Sequence, residues 1–589
     1  MTLLIDPRLG DVEDDASSTK RRSLLAIAGS LLAEISLPKL VLAWLLLMVL
    51  PGMLLGLAPL IASGWLATLS RKIADPVSGI GPLVLLALVA ALGWIGGRPL
   101  FRVAEKGFWS LNSVAVQPGY ALCREALRHV AERYFLPRGS TVRRARLRAA
   151  TAFCAGLIIC AIASIVALLV WPSSRWIGNV ADLASPQRLV IPALANTVVL
   201  LNAYLAVAAL VWGTADAMMD QPVDLGAFDH APQGCRMWRV VHLSDVHIVG
   251  ERYGFRIESG RSGPCGNNKL ARLMQRLDGV HAERPLDLVL ITGDVTDAGR
   301  SAEWAEFLTL LGAHAELAKR TLILPGNHDV NVVDRANPAR LDLPTSPSKR
   351  LRQMRALSAI AAVQGDRVHV LDRATKQLGA TLSAALAPHR RAVMAFADAG
   401  TLRLTVGLEQ LWADIFPMAL PPDAPDGLGV ILLNSNAEAH FSFTNALGLV
   451  SAEQTWALNA IARQFPRAHW IVALHHHLVE YPKPAAALSE RIGTALINGT
   501  WFVRQLLPLG DRAIVMHGHR HIDWIGECGN VRIISAPSPV MEATNEEPTY
   551  FYVHTLASAS DGRLRLLAPE RIEIAGEPEP NGAPVSATG

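Results

Sequence analysis

Four stretches of the chain carry no charged residue: Leu40–Leu69, Pro76–Gly97, Ala149–Trp171 and Leu189–Trp212. Each is long enough to cross a bilayer as a helix, which takes about 20 apolar residues. One such run alone also fits a buried helix of a large soluble protein, but four of them upstream of Met237 favour about four membrane spans. Pro51 and Pro59 interrupt the first run, which reads as a kinked span or a re-entrant pair. From Met237 the pattern changes to short apolar runs ending in polar clusters, with helical stretches between them. Arg239–Leu243 leads into Asp245 and His247, and Leu288–Thr292 into Asp294 and Asp297. Leu322–Pro325 leads into Asn327, His328 and Asp329, Trp470–Leu474 into His475, His476 and His477, and Ala513–Met516 into His517, His519 and His521. Buried strands with interleaved helices predict an α/β domain whose ligand-type residues gather at the carboxyl ends of the strands.

Composition agrees with a chain of two characters. The 589 residues are 51% hydrophobic and 18% charged, with a mean hydropathy of +0.28. That is too apolar for a disordered chain. Residues 1–212 hold 20 basic and 11 acidic side chains, leaving 35 and 40 for the remainder. The later part therefore has no overall basic bias of the kind that favours a nucleic-acid polymer, and none is expected as partner. Six cysteines form no CxxC pair, so reduced thiols are expected.

Loop charge predicts orientation. Segment 98–148 carries 11 basic and 3 acidic residues and ends in Arg143, Arg144, Arg146 and Arg148. The positive-inside rule places it in the cytoplasm, with both termini and the catalytic domain, as for a multi-pass protein of the plasma or inner membrane. Within it Leu122, Ala126, Val130 and Tyr134 recur at helical spacing, which suits either a helix on an anionic membrane surface or a solvated helix packed on the catalytic domain. Lys20-Arg21-Arg22 before Leu24–Ala33 also fits a secretion signal, the lesser reading beside a polytopic region. The expected organisation is an N-terminal cytoplasmic segment 1–39, a transmembrane region 40–212, a catalytic domain 213–571 with a capping insertion 331–427, and a flexible tail 572–589.

Asp, Asn and His without thiolate suit Mn, Fe, Zn or Ni, and five clusters offer too many ligands for one tetrahedral ion. The ordered set DxH, GDxxD, GNHD, a histidine cluster and GHxH resembles the calcineurin-like metallophosphoesterase superfamily over about residues 237–556. The resemblance implies a two-sheet αββα sandwich and a two-metal site. Asp245, His247 and His521 would hold one ion, Asn327, one of His475, His476 and His477 (His475 comes first after the strand) and His519 the other, and Asp294 would bridge them. His328 would act on the leaving-group oxygen or contact the phosphate, with Asp297 orienting it. His517 would be supporting, and Asp329 would brace its loop. The chemistry implied is hydrolysis of a phosphoester by metal-activated hydroxide, for instance of a cyclic-nucleotide phosphodiester. A lipid-linked phosphoester is the alternative substrate, and a catalytically silent membrane sensor or scaffold the alternative class. A transporter has little support, because the four runs hold no charge that would mark an ion pathway.

Overall fold

The computed structural model describes residues 3–9, 11, 41, 45, 49–73, 87–88, 91, 105, 107–109, 112, 116–135, 141–179, 182, 185–231, 233–251, 254–257, 263–331, 347–437, 446–482, 496–541, 546–558 and 561–576. The chain forms two compact units: Met1–Ile35 with Asp220–Ala485 and Gly493–Gly589, and Ser36–Met219 with Ala486–Ile492.

The second of these units is helical. Its principal helices are α1 (Leu50–Ile73), α2 (Gln117–Phe135), α3 (Thr141–Val170) and α4 (Val190–Ala217). Among the described residues two helical stretches, Arg144–Ser173 and Pro186–Ala217, are long and apolar enough to cross a membrane. The expected run 76–97 lies mostly outside the described residues, as does the signal-like segment 20–33. Of the first run, Leu50–Gly64 is apolar but shorter. The basic loop is largely helical, because α3 starts at Thr141 and carries Arg144, Arg146 and Arg148 in its own first turns. Helices α3 and α4 touch backbone to backbone: a Cβ on Gly213 would lie 2.9 Å from Gly156 Cα. Small residues allow that approach, which is how apolar helices gain contact where water cannot drive them together. The Asn196 amide donates to Gly56 O at 3.0 Å, and Thr197 Oγ1 donates to Gly52 O at 2.6 Å, tying α1 to α4.

The first of these units contains two sheets. One runs β1 (Val223–Asp224), β11 (Trp524–Cys528), β12 (Val531–Ser535), β10 (Ala513–His517), β9 (His469–Ala473), β8 (Leu428–Leu432), β7 (Met418–Leu420), β5 (His369–Asp372), β6 (Gln377–Thr381). The other runs β14 (Leu564–Leu566), β13 (Thr549–Ser558), β2 (Met237–Leu243), β3 (Leu288–Ile291), β4 (Thr321–Ile323), with β15 (Glu570–Ile574) also on β13. Strands β2, β3 and β4 are mutually parallel, as are β8, β9, β10 and β12. Parallel strands buried on both faces need continuous apolar runs, which is why Leu288–Ile291 and His469–Ala473 are buried at every position. The two-sheet α/β architecture expected from the motifs is therefore present.

Part of the expected insertion 331–427 joins the core. Helix Pro347–Gln364 contributes Leu351, Met354, Leu357 and Ile360 to the main core. Its last side chain, Gln364, pairs with both backbone groups of Ile323 (2.7 and 3.0 Å), completing the free edge of β4. Strands β5–β7 then extend the larger sheet. Pro347 stands at the first turn of the helix, where proline costs no hydrogen bond. Of the N-terminal segment 1–39, Leu4 and Ile5 are buried in the core of the first unit.

Candidate metal centre

All five polar clusters emerge at strand carboxyl ends. Asp245 and His247 follow β2, Asp294 follows β3, Asn327 and His328 follow β4, His475 follows β9, and His519 and His521 follow β10. Five of these residues have left-handed backbones: Asp245 (φ 56°), His247 (41°), Asp294 (48°), His519 (79°) and His521 (52°). Among the described residues Lys376 is the sixth non-glycine with positive φ. Such conformations cost of order 1–3 kcal/mol each and persist where the surroundings over-determine them. Here a side chain is turned back over the strand end. Gly326 is required for another reason: its Cβ would stand 2.1 Å from Asp294 Oδ1.

The ligand atoms converge in two groups. In the first, His475 Nε2 lies 3.1 Å from Asn327 Oδ1, 3.2 Å from Asp294 Oδ2 and 3.2 Å from His519 Nδ1. In the second, His521 Nε2 lies 3.4 Å from Asp245 Oδ1, and His247 is close enough to complete a three-ligand cluster with them. Asp294 Oδ2 stands between the two groups, 3.9 Å from His247 Nε2. All seven expected ligands thus come together; Asp245, His247, Asp294, Asn327 and His475 are buried, and His519 is half-buried. His521, about a quarter exposed at its side chain, stands at the rim.

Metal ions fit this arrangement. Ligands held at about 2.1 Å from a cation lie roughly 3–3.5 Å from one another, as these do. Asp245 Oδ1 and His247 Nε2 are buried with no hydrogen-bond partner. Acceptors packed this tightly, and out of water, need a cation between them. Burial alone would strip the His475 proton, yet the Asp294 and Asp245 carboxylates hold it up at about 9. The same field is available to a bound cation. Burial works against ionised Asp294, but His475 and His328 hold its carboxyl well below the ordinary range.

Around the ligands, backbone and side-chain groups fix orientation. His475 Nδ1 donates to Thr292 O at 2.8 Å, which presents Nε2 to the centre. Of the three adjacent histidines only His475 reaches the cluster. His476 Nδ1 pairs with Ser435 Oγ (2.9 Å), while His477 stacks on His519 and Tyr481. Both are buried and held neutral, their pKa values pushed well below the usual imidazole range by desolvation. Burial also drives His517 down to about 4. Ser435 Oγ additionally accepts from the His475 and His476 amides, both at 3.1 Å. The sequence offered Asn434-Ser435-Asn436 only as a turn or pocket lining, because nothing local shows which strand a lone serine will face. Ser538 Oγ, donating to Asp245 O at 2.7 Å, carried no sequence signal at all.

Asp297 differs from its expected role. Its carboxylate faces His247 Nδ1 at 3.2 Å, and its backbone carbonyl accepts from His328 Nδ1 at 2.7 Å. A peptide carbonyl and not a carboxylate therefore sets the His328 ring, leaving Nε2 as its outward nitrogen. Asp329 braces the loop as expected, accepting from Thr296 N (2.8 Å) and Gly326 N (2.8 Å).

The loop's other brace is Glu303, which accepts from Ala298 N and Arg300 N at 3.0 and 2.9 Å. Burial pushes its carboxyl from 4.5 up to about 7. A carboxyl raised on folding stabilises while protonated, so its contribution is complete below pH 4.5 and is lost as pH rises to about 7. Glu303→Gln keeps an acceptor without the charge. The stability difference between variant and wild type is expected to move toward the variant across that window by on the order of 3 kcal/mol, read by urea unfolding at a series of pH values. A constant difference would exclude ionisation of Glu303 as the cause.

Residues 239–523 match the family model of the calcineurin-like phosphoesterases. No curated protein matches the chain. Among solved structures, the chain is similar to a dimetal phosphatase from Danio rerio at 12% identity, over 58% of this chain and 99% of that one, with a TM-score of 0.32. It is also similar to a protein described as a 5′-nucleotidase from Staphylococcus aureus, at 12% identity, over 58% and 55% of the two chains and a TM-score of 0.31. A purple acid phosphatase from yellow lupin, Lupinus luteus, aligns at 12% identity over 58% and 55%, with a TM-score of 0.27. The alignments thus span little more than half the length of the last two proteins. Motif order, strand-end geometry and the family match agree on a calcineurin-like phosphoesterase domain over residues 239–523.

Proposed function

We propose that the chain is a membrane-anchored phosphodiesterase with a dinuclear metal centre, acting in the cytoplasm on a phosphodiester such as a cyclic nucleotide. The observation that carries the two-metal reading is the position of Asp294 Oδ2, 3.2 Å from His475 Nε2 and 3.9 Å from His247 Nε2. Asp245, His247 and His521 would hold one ion, Asn327, His475 and His519 the second, and Asp294 both. When bound, such ions supply Lewis acidity at the phosphoryl oxygens and a water of lowered pKa. The protein's part is orientation and proton transfer. Thr292 O and the Asp297 carboxylate fix the His475 and His247 rings. His328, anchored through Nδ1, presents Nε2 to the leaving oxygen and gives it a proton. Burial of the ligands excludes competing water.

Anchoring is supported by the lateral surfaces of α3 and α4, which leave Leu157, Ile162, Ile165, Leu168, Ile191, Val207 and Val211 exposed. Trp171 and Trp176 stack at the end of α3, a composition typical of a membrane–water boundary. The α2 stripe of Leu122, Ala126, Val130 and Tyr134 is exposed as well, which favours its lying on a membrane surface. Runs 40–69 and 76–97 would supply the further spans of a four-span anchor. The same apolar helices favour, as a second reading, a lipid-linked phosphoester.

The full-length protein reconstituted with Mn is expected to hydrolyse bis-p-nitrophenyl phosphate, and among natural esters to prefer cyclic nucleotides over phospholipid-derived esters. Preference for the lipid esters would select the second reading. Metal-loaded protein inert on every phosphoester would select the silent sensor.

A further inference from the structure

The first residues of the chain reach the catalytic loop by a route that the site does not yet use. Leu4 and Ile5 are 7% and 6% exposed and lie in the core of the catalytic unit. Their amides donate to Ser358 Oγ at 3.0 and 2.9 Å, and that hydroxyl donates back to Ile5 O at 3.0 Å. Six residues on, the fully buried Asp11 accepts from Arg355 Nε at 2.6 Å and pairs with the second guanidinium nitrogen. Arg355 has a third contact: Nη1 donates to Gly299 O at 3.0 Å.

Gly299 ends the loop that carries Asp294 and Asp297. It is tightly seated, with φ +68° and room for no Cβ, since one would lie 2.5 Å from Asp329 O. Its amide donates to Thr296 Oγ1 at 3.2 Å. Two residues earlier stands the Asp297 carbonyl that receives His328 Nδ1. A buried guanidinium is tolerable only with a paired carboxylate. Without Asp11, Arg355 would lose the carboxylate that pairs its guanidinium beside the Gly299 carbonyl.

We propose that residues 3–9 and Asp11 act as a strap in cis, in which Asp11 acts through Arg355 as a positioning residue for the 294–299 loop and so for the His328 ring. The inference rests on the reading of His328 as proton donor to the leaving group. The strap sets the carbonyl that aims that histidine, and the domain beginning near residue 220 is catalytically incomplete without it.

The test uses the full-length protein in detergent with Mn, reading kcat, KM, bound metal and melting temperature on aryl phosphodiesters of graded leaving-group acidity. The paired substitution Asp11→Leu with Arg355→Met removes both charges together, so it keeps the fold where a single change would strand one of them. Its expected result is full metal occupancy, KM within about twofold, and kcat lowered about tenfold, because small misplacements of a reacting group are costly. The loss should deepen for poorer leaving groups, as in His328→Ala. Wild-type kcat in the folded double variant would overturn the proposal and leave the pair a structural contact. If the double variant fails to fold, Arg355→Lys decides. That ammonium can still pair with Asp11 but cannot also span to Gly299, so the same loss of kcat is expected, and wild-type kcat overturns the proposal. His328→Ala serves as the control: full activity there would sink the reading of His328, whereas slow His328→Ala beside fast strap variants would sink the strap alone.

Discussion

Asp294→Asn is expected to abolish turnover and to empty the centre. The substitution preserves shape, so what it removes is one negative charge shared by two ligand groups. In the wild type that charge lies 3.2 Å from His475 Nε2 and 3.9 Å from His247 Nε2. Loss of two-ion charge stabilisation is worth several kcal/mol, so kcat/KM should fall by at least about 10³-fold. The backbone should tolerate the change, because asparagine adopts the left-handed conformation at least as readily as aspartate. Elemental analysis after gel filtration should find less than one equivalent of metal per chain in a protein of near-normal far-ultraviolet dichroism. Two retained ions would end the bridging assignment.

His328→Ala should behave in the opposite manner. Metal stays bound, because all seven expected ligands remain, while the rate falls by about 10²–10⁴-fold, the usual worth of a positioned proton donor. The diagnostic is the leaving group. A nitrophenolate departs without protonation, so the deficit on bis-p-nitrophenyl phosphate should be small beside that on an alkyl phosphodiester. An equal deficit on both would make His328 a phosphate contact.

Much of this centre was legible in sequence because each ligand pair directly follows an apolar run, and a buried strand delivers whatever follows it to a sheet edge. The direction of a side chain within a turn was not legible. Asp297 turned its carboxylate to His247 and its carbonyl to His328, an outcome fixed by a left-handed loop that spacing does not reveal. The helix over 347–364 misled for a related reason. Arg350, Arg352 and Arg355 are all buried. Arg355 pairs with Asp11, and local pattern cannot anticipate a pairing across 344 positions. The apolar runs of the helical unit were plain, but how many of them pair as spans depends on packing among helices and not on composition.

The left-handed ligand positions impose one further condition on how such a protein can change. At Asp245, His247, Asp294, His519 and His521 the residue the backbone would welcome is glycine, and the residue the chemistry demands is not. Mutations that relax these turns would raise thermal resistance while erasing turnover, so selection for robustness alone drifts toward an inert scaffold. Hardening the enzyme without that loss has to begin far from the strand ends, in the sheets and helices that keep those five turns under tension.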